Sequence, residues 1–415
     1  MTTEILDQNV LRDIRKLGPV DVVVGIPSYG NASTIAGVAE ALGFGMDKYY
    51  QGAKVLMINS DGGSKDGTPE AFLSADVPDR ICRMAILYKG TSGKGSALRA
   101  IFEVARETEA RICIVADADS RSITPDWARQ LGYPVFQENY GYVTPFYLRD
   151  KHDATITNSL VYPVTRALYG QRIRQPIGGD FALSRGLVCI LRQDRFWESH
   201  PSIAKFGVDI WMTTTAICEG LRICQAALGV KIHDPKKPSR DLSPMFRQVV
   251  GTMFELMKRY DHKWLIIKHS QPVDIYGEYR FSEIEDIEIH PLVLLNKLKE
   301  GYQIYGDNIW KQVLSPENYE EVSQVCQKDY KKFIFPMDLW ARVVFDFAVY
   351  YCWVPKEDHD SLLESMIPLY QGRTASFAKE MAILSDELAD AFVDGCASVF
   401  ERLKPYLLER WPRRC

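Results

Sequence analysis

Four short apolar segments alternate with helix-forming segments over about the first 120 residues, and this alternation limits the folds open to the chain. Each apolar segment ends in polar or turn-forming residues, and the segments cover residues 21–27, 54–59, 81–88 and 112–116. Short apolar runs bounded by turn residues are typical of buried strands. Strands that alternate with helices at this spacing form a mostly parallel sheet through right-handed crossovers. The sequence therefore predicts an α/β fold with a Rossmann-like, mostly parallel sheet.

Two carboxylates follow the fourth apolar segment directly. Asp117 and Asp119 stand two residues apart, after the apolar residues 112–116. Ligands of open α/β sheets bind beyond the carboxyl ends of the strands, and carboxylates at the end of a buried strand are costly unless something compensates their charge. Mg²⁺ and Mn²⁺ prefer hard oxygen ligands, so either cation could compensate them while carrying a diphosphate. An isolated Asp-x-Asp triplet is also common in solvated loops, but this position favours a metal-dependent nucleotide-sugar site.

The composition narrows the class of protein further. The chain has 415 residues, of which 46% are hydrophobic and 25% are charged, as in ordinary globular proteins. The net charge of −4 gives no basic surface for nucleic acid. No apolar stretch reaches the length of a membrane span, and residues 1–12 lack the apolar core of a signal peptide. Nine scattered cysteines without a Cys-x-x-Cys pair favour free thiols. We therefore expect a cytoplasmic protein with no nucleic-acid partner and no membrane span.

The pattern of apolar residues divides the chain into three parts. Residues 1–18 form a polar N-terminal segment, residues 19–260 carry the strand–helix alternation, and residues 261–415 are mainly helical in pattern. Prolines punctuate the helical segments of the third part, which indicates helices that end and begin again. These prolines are Pro316, Pro336, Pro355 and Pro368. The third part carries no catalytic signature, so we expect an α-helical C-terminal domain.

A glycine-rich segment at residues 90–96 precedes the helix that leads to the fourth strand. It is not a P-loop, because Tyr88 stands where that motif requires its first glycine, and Gly95 stands where it requires the magnesium-binding Ser or Thr. A helix N-terminus with Lys94 beside it can still bind a diphosphate through the helix dipole and the charge of the lysine. A flexible loop with a solvated lysine is the alternative.

Taken together, these segments resemble nucleotide-sugar glycosyltransferases of the GT-A fold. The resemblance rests on the order and spacing of residues 27–35, 61–68 and 117–119. Within that fold, the chain is most similar to the retaining glucosyl-3-phosphoglycerate synthases and their mannosyl relatives. The narrower resemblance covers roughly residues 20–260, and its motifs lie at residues 93–98, 146–149, 175–180, 207–210 and 232–233.

The resemblance implies a site for a nucleoside diphosphate sugar. Asp119, Asp209 and His233 would be the catalytic residues, and Asp209 would bind hydroxyl groups of the donor sugar. Asp119 and His233 would hold Mg²⁺ or Mn²⁺, with Asp117 completing the metal set and lying beside the ribose. The other donor-binding residues that we expect are Pro27, Ser28 and Asn31 along the base and ribose, Asp61 and Ser64 near the uracil, Lys94 near the nucleotide, Gly178 and Gly179 where backbone approaches the sugar, and Lys236 in a basic loop over the leaving nucleotide.

The acceptor site implied by the resemblance departs from the family pattern. The expected acceptor-binding residues are Tyr147, Arg149, Thr155, Thr157 and Asn158. The family's acceptor loop contains Gly-Arg-x-Thr, and Thr155 stands here in place of the arginine. The loss of a planar, bidentate phosphate donor makes free D-glycerate a credible acceptor beside 3-phosphoglycerate. Three nearby arginines are expected either to be solvated or to attract an anionic acceptor, and they are Arg166, Arg172 and Arg174.

We therefore expect a metal-dependent, retaining glycosyltransferase that acts as a homodimer. It would move glucose or mannose, from a donor such as UDP-glucose or GDP-mannose, to D-glycerate or 3-phosphoglycerate. Two alternatives stay open. An inverting transferase acting on a polysaccharide would need a carboxylate base, for which Asp180 is the candidate. A non-catalytic protein that binds nucleotide sugars would use the same residues without turnover.

Overall fold

The computed structural model describes residues 4–233, 242–278, 284–382 and 384–412. The chain divides into two compact units, each built from three segments. The first unit comprises Met1–Arg149, Ile173–Asp234 and Val273–Glu285. The second unit comprises Asp150–Arg172, Pro235–Pro272 and Asp286–Cys415. The expected domain limits after residues 18 and 260 stay a prediction.

Strands and helices alternate through the first unit, and helices dominate the second. The strands are β1 (Val22–Ser28), β2 (Val55–Asp61), β3 (Cys82–Leu87), β4 (Ile112–Val115), β5 (Tyr142–Leu148), β6 (Gln171–Arg172), β7 (Phe181–Ser184), β8 (Ile223–Val230), β9 (Gln271–Pro272) and β10 (Ile275–Tyr276). The α-helices are α1 (Gln8–Leu17), α2 (Ile35–Tyr49), α3 (Thr68–Ser74), α4 (Lys94–Glu107), α5 (Asp126–Gln137), α6 (Tyr162–Tyr169), α7 (Arg185–Gln193), α8 (Phe196–Ser199), α9 (Val208–Cys218), α10 (Leu242–Arg259), α11 (Asp261–Trp264), α12 (Pro291–Tyr305), α13 (Lys311–Val313), α14 (Pro316–Gln327), α15 (Met337–Trp353), α16 (His359–Met381), α17 (Asp386–Arg402) and α18 (Lys404–Arg410). Short 3₁₀ and π-helical turns lie at Thr157–Val161, Pro201–Ala204, Gly306–Trp310 and Lys356–Asp358.

The first unit is built around one large sheet. Among the described residues this sheet has eight strands in the order β10-β8-β5-β7-β4-β1-β2-β3. Neighbouring strands run parallel except at β7, which is antiparallel to both β4 and β5. The four apolar segments predicted as strands form β1, β2, β3 and β4. The predicted α/β class with a mostly parallel, Rossmann-like sheet is confirmed, and the carboxyl ends of the parallel strands share one edge.

The two faces of β1 show how the sheet is packed. Val22, Val24 and Ile26 alternate along the strand and join a buried core that also contains residues of α2 and α5. On the opposite face, a Cβ on Gly25 would lie 2.4 Å from Cγ2 of Ile101 in α4. The glycine therefore lets α4 lie directly against the sheet, and the first residue of α4 comes to the edge where the parallel strands end.

The second unit has the helical character expected for the C-terminal part of the chain. Pro316 begins α14 and Pro336 precedes α15, as expected for helix starts. The expected break at Pro368 is wrong, because α16 continues through this residue. A Cβ on Gly301 of α12 would lie 2.2 Å from Cβ of Pro368, so the proline ring packs where α12 has no side chain. Packing between helices here outweighs the usual tendency of proline to end a helix.

The cysteines and the helix lengths can be compared with what the composition predicted. The described cysteines are free thiols, as the absence of a paired motif indicated. Within the described ranges, every helix is too short or too polar to cross a membrane.

Lys404, the first residue of α18, is buried within the second unit. Its Nζ donates hydrogen bonds to the carbonyl oxygens of Trp264 and Ile267 at 2.7 Å and of Leu168 at 3.4 Å. Burial lowers the pKa of Lys404 to about 8, although the charge of Glu401 acts against this shift. The lysine thus donates to carbonyl groups at or just beyond the C-terminal ends of α6 and α11. These carbonyl groups have no hydrogen-bond donor within their own helices.

Lys404→Met is expected to lower the free energy of unfolding by about 1–3 kcal/mol, because buried carbonyl groups lose their donor while the side-chain volume is nearly kept. Urea denaturation at pH 7 measures this loss. The folded-state pKa lies below the unfolded value of about 10.4, so the unfolded chain binds more protons between the two values. The wild type should therefore gain stability relative to the variant as the pH rises from about 8 to 10. A difference that does not change over this range would contradict the lowered pKa.

Candidate functional site

The antiparallel strand β7 brings a third carboxylate to the end of β4. Phe181 of β7 lies opposite Val115 of β4, so Asp180 lies beside the residues that follow β4. Its Oδ1 accepts a hydrogen bond from the backbone N–H of Asp117 at 2.9 Å. The Asp-x-Asp segment is therefore held by the residue that precedes the neighbouring strand.

Three carboxylates and two lysines form one connected group at this edge, which we call the charge cluster: Asp180, Lys231, Asp117, Lys94 and Asp209. Nζ of Lys231 lies 2.5 Å from Oδ2 of Asp180 and 3.5 Å from Oδ2 of Asp117. Nζ of Lys94 lies 2.9 Å from Oδ1 of Asp117 and 3.1 Å from Oδ2 of Asp209. Each lysine bridges two carboxylates, so opposite charges compensate one another in a cluster of which Asp180, Lys231 and Asp209 are buried.

The carboxylates of the charge cluster keep both lysines protonated at neutral pH. Burial acts to lower the pKa of Lys94, but Asp117 and Asp209 outweigh it and the pKa is raised. Burial likewise opposes the rise in the pKa of Lys231, which Asp180 and Asp117 cause. Burial raises the pKa of Asp209, and the ammonium group of Lys94 acts against that rise. The site therefore presents a fixed cation, Lys94, between two carboxylates.

One carboxylate oxygen of Asp209 has no hydrogen-bond partner among the residues that the structure describes. Its Oδ2 accepts a hydrogen bond from Lys94, whereas its Oδ1 is buried and has no hydrogen-bond partner among the described residues. Asp209 lies in the first turn of α9, where a carboxylate is also favoured by the helix dipole. The dipole does not account for the unpaired oxygen, because nearly all buried acceptors in proteins are hydrogen-bonded. The oxygen indicates a place for a donor group of a ligand.

Asp180 is poorly placed to act as the base of an inverting transferase. Its exposed fraction is 0%. One oxygen accepts the N–H of Asp117, and the other accepts hydrogen bonds from Lys231 and from the hydroxyl of Tyr147. A general base must reach the proton that it removes. Asp180 therefore has a structural role, and the inverting alternative gains no support from it.

The two glycines before Asp180 are required by contacts within the protein. Gly179 has a φ of +98°, and a Cβ there would lie 2.0 Å from Oδ2 of Asp117. A Cβ on Gly178 would lie 2.2 Å from Cγ of Pro145. The sequence led us to expect that these glycines admit the donor sugar. The structure shows that they accommodate the side chains of Asp117 and Pro145, and their contact with a donor sugar stays a prediction.

The N-terminus of α4 is covered by the loop before α9. The N–H of Gly95 donates to the carbonyl oxygen of Lys205 at 3.1 Å. A Cβ on Gly95 would lie 1.7 Å from the carbonyl oxygen of Ile203. This N–H is therefore not available to a diphosphate, contrary to the expected use of the helix N-terminus. The cation that this segment supplies is the side chain of Lys94.

Asp61 ties together the loops that follow β1 and β2. Its carboxylate accepts hydrogen bonds from Oγ of Ser28 and the N–H of Gly63, both at 2.8 Å, and from the N–H and Oγ of Ser64, both at 2.6 Å. Oγ of Ser64 in turn accepts the N–H of Gly30 at 2.9 Å. Asp61 is buried, and its oxygens are occupied by these donors. In this structure Asp61 organises the loops, and its expected position near the uracil stays a prediction.

The residues expected along the base and ribose lie at two neighbouring strand ends. Ser28, next to Pro27, pairs with Asp61 in the register of β1 and β2. Oδ1 of Asn31 accepts the N–H of Tyr29 at 3.0 Å, which closes the turn after β1. The structure therefore brings Pro27, Ser28 and Asn31 together with Asp61 and Ser64, as the resemblance implied, although their contacts with a nucleotide stay a prediction.

Asp119 and His233 belong to two segments that hydrogen bonds join directly. The N–H of Arg121 donates to the carbonyl oxygen of Ile232 at 2.8 Å. The N–H of Ile232 donates to Oγ of Ser122 at 2.9 Å. Both segments lie at the carboxyl ends of strands, β4 and β8, so a carboxylate and an imidazole come to the same edge of the sheet.

The expected three-residue metal set is not formed in this structure. Within the described ranges, no group of three or more His, Cys, Asp or Glu side chains is arranged to hold a metal ion. Asp117 faces two lysines instead, and Nε2 of His233 lies 3.5 Å from Nη1 of Arg149. Two protein ligands, Asp119 and His233, still suit Mg²⁺ or Mn²⁺, because such ions complete their coordination with substrate phosphates and water. Lys236 lies outside the described residues.

Two expected acceptor residues, Tyr147 and Arg149, lie in the first unit beside the charge cluster. The hydroxyl of Tyr147 donates to Asp180, so it is used inside the protein. Nε of Arg149 donates to Oε1 of Gln175 at 3.2 Å, and its guanidinium group lies 4.9 Å from the ring centroid of Tyr147. Arg149 is therefore positioned by Gln175 and the aromatic ring.

The other three expected acceptor residues, Thr155, Thr157 and Asn158, are buried in the second unit. Oγ1 of Thr155 shares a hydrogen bond of 2.5 Å with the hydroxyl of Tyr370. Nδ2 of Asn158 donates to the carbonyl oxygen of Asp153 at 3.0 Å. The polar groups of Thr155 and Asn158 thus have partners within the second unit, and the contact of all three residues with an acceptor stays a prediction. Arg166 is also structural, because it pairs with carboxylates of α17 in the same unit.

Sequence reasoning missed Lys231, which the structure places at the centre of the charge cluster. A signal was present, because Lys231 follows the apolar strand β8 just as Asp117 follows β4. Charged residues at the ends of buried strands require a partner. The sequence alone therefore indicates that Lys231 and Asp117, which carry opposite charges and follow two predicted strands, could form an ion pair.

Comparison with known proteins finds similar solved structures. No family model and no curated protein matches the chain. The chain is similar to glucosyl-3-phosphoglycerate synthase from Mycobacterium tuberculosis in complex with Mn²⁺, UDP-glucose and phosphoglyceric acid, at 21% identity over 65% of this chain and 92% of that chain, with a TM-score of 0.45. It is also similar to the same synthase with Mg²⁺ and UDP, at 21% identity over 59% of this chain and 83% of that chain, with a TM-score of 0.44.

Asp61→Asn is expected to lower the free energy of unfolding by about 1–3 kcal/mol, because an amide N–H₂ would face donors that now bind a carboxylate. Urea denaturation measures the loss. Hydrogen exchange at the N–H groups of Gly63 and Ser64 should become faster, since both lose a charged acceptor. Asp76→Asn is the control, because that carboxylate is exposed. Unchanged exchange at both amides would show that Asp61 does not organise this loop.

Proposed function

We propose that the first unit binds a nucleoside diphosphate sugar beside the charge cluster and transfers its hexose to a small hydroxy acid. The hexose is glucose or mannose, and the acceptor is D-glycerate or 3-phosphoglycerate. The donor base, the homodimer and the cytoplasmic location stay predictions.

The unpaired Oδ1 of Asp209 is the observation that carries the proposal. This oxygen is buried beside Lys94, which holds the other oxygen of the same carboxylate. A sugar hydroxyl can donate to Oδ1 and accept from an ammonium group, which a phosphate oxygen or an apolar group cannot do. Asp209 would therefore hold the sugar, and the fixed charge of Lys94 would lie close to the anionic nucleotide.

Asp119 and His233 are the proposed protein ligands of Mg²⁺ or Mn²⁺. The cation would supply positive charge against the diphosphate that leaves in the reaction. Asp117 is assigned a different part in this proposal, because both of its oxygens face lysines. It would hold Lys94 in place. Retention of configuration enters the proposal from the family resemblance alone.

A donor-by-acceptor activity screen with Mg²⁺ and with Mn²⁺ tests the proposal. The donors are UDP-glucose and GDP-mannose, the acceptors are D-glycerate and 3-phosphoglycerate, and NMR reads the anomeric configuration of the product. An α-linked product from an α-linked donor is expected. A β-linked product would exclude retention. Nucleotide-sugar binding without turnover of any acceptor would favour the non-catalytic alternative.

Asp119→Ala and His233→Ala are each expected to weaken metal-dependent donor binding by about tenfold or more, the range for disturbed metal sites. Calorimetric titration of the donor with Mn²⁺ and with EDTA measures the loss. Asp76→Ala and His262→Ala are matched controls, because these side chains are exposed. Wild-type affinity in both site variants, or full wild-type activity in EDTA, would exclude the proposed ligands.

Wild-type kcat/KM for D-glycerate is expected to equal or exceed that for 3-phosphoglycerate. A missing charge-assisted contact to phosphate is worth about 1.5–3 kcal/mol, which is roughly one to two decades in affinity. Thr155→Arg is not the variant with which to test this, because Thr155 is buried against Tyr370 and an arginine there would disturb the second unit. A preference of the wild type for 3-phosphoglycerate greater than about tenfold would show that another residue binds the phosphate.

A further inference from the structure

Lys231 is enclosed by protein on every side. Its side chain is 2% exposed. Nζ lies 5.1 Å from the ring centroid of Tyr147 and 5.8 Å from that of Trp127, and both rings are buried. An ammonium group in this position cannot touch a ligand directly. Any effect of Lys231 on a ligand must therefore pass through the residues that it binds.

Lys231 acts on Asp117 in two ways, through Asp180 and by direct contact. Asp180, at 2.5 Å from Nζ, also accepts the backbone N–H of Asp117. Nζ of Lys231 itself lies 3.5 Å from Oδ2 of Asp117. The main chain and the carboxylate of Asp117 therefore both depend on the ion pair between Lys231 and Asp180.

The position of Asp117 affects the contact between Lys94 and Asp209. Lys94 bridges Oδ1 of Asp117 and Oδ2 of Asp209. Without Lys231, Lys94 would be the remaining ammonium group of the charge cluster, and it contacts Asp117 and Asp209. With its contact to Lys231 lost, the carboxylate of Asp117 would attract Lys94 more strongly, and Lys94 would shift towards Asp117 and away from Asp209. Asp209 would then lose the cation that orients it.

We propose that Lys231, paired with Asp180, is a positioning residue that fixes Asp117 and thereby holds Lys94 and Asp209 in the arrangement that binds the donor sugar. The inference rests on the proposed function, because it concerns the same donor site. It adds a residue that makes no contact with the ligand. It also predicts that donor affinity depends on a charge buried behind the site.

A double variant tests this role without leaving an unpaired charge. Lys231→Met alone leaves Asp180 buried and ionised, which threatens folding. Lys231→Met combined with Asp180→Asn removes both charges, and the amide oxygen of the asparagine can still accept the N–H of Asp117. The control is Lys404→Met, which removes another buried ammonium group that contacts backbone carbonyls of the second unit.

The measurements are the Kd of UDP-glucose or GDP-mannose with Mn²⁺ by calorimetry, the thermal midpoint, and the KM values of donor and acceptor. The double variant is expected to raise the donor Kd and donor KM by about 10- to 100-fold, the range for side chains that orient ligand-binding residues. Its acceptor KM should stay near the wild-type value. Lys404→Met should lower the thermal midpoint and leave the donor Kd within about twofold.

The outcomes separate this inference from the proposed function. If the wild type binds neither donor, the proposed function is overturned and the inference with it. If the wild type binds a donor and the double variant binds it with the same Kd, the proposed function stands and the positioning role is overturned. An equal rise in Kd in Lys404→Met would also overturn it, because the effect would then follow from lost stability alone.

Discussion

The ion pair between Lys231 and Asp180 is the interaction on which the candidate site depends. Three carboxylates of the charge cluster approach one another at the edge of the sheet where the apolar strand β4 ends. An unpaired buried charge costs several kcal/mol, whereas a typical hydrogen bond contributes about 1 kcal/mol. Charge compensation therefore outweighs the backbone contacts in deciding the local conformation. The antiparallel strand β7 makes the pair possible, because it delivers Asp180 to the end of β4.

The parts of the fold that follow from local pattern could be predicted from the sequence. The first four strands and the helices between them appear as apolar runs and turn residues that lie close together in the chain. The position of β7 could not be predicted in this way. It has four residues, and its partners β4 and β5 lie far from it in the chain. Lys231 was missed for the same reason, since its partners lie 51 and 114 residues away in the chain.

A residue that matches a family motif in sequence is not thereby shown to have a side chain exposed to a ligand. Thr155 and Asn158 match positions of an acceptor loop, yet their polar groups bond within the second unit. Gly178 and Gly179 match a sugar-binding loop, yet they accommodate Pro145 and Asp117. In each case the residue type suits two roles equally well, and only the neighbours that the fold supplies distinguish them. Asp209 differs from these residues, because one of its carboxylate oxygens has no partner in the part of the chain that the structure describes.

The tight contact between Gly95 and the loop at residues 203–205 has a consequence for how the site can change. Gly95 donates to the carbonyl oxygen of Lys205, and Asp209 follows Lys205 by four residues. Backbone packing therefore sets the spacing between the main chains at Lys94 and Asp209, whereas the side-chain contacts of Lys94 depend on the charge cluster. Substitutions at those two residues change the charged groups between the two segments but not the distance between their main chains. A new donor specificity that needs a different distance between these two segments would have to arise by insertion or deletion in the loop at residues 201–207. Such a change in loop length would move the side chains of Lys94 and Asp209 relative to each other.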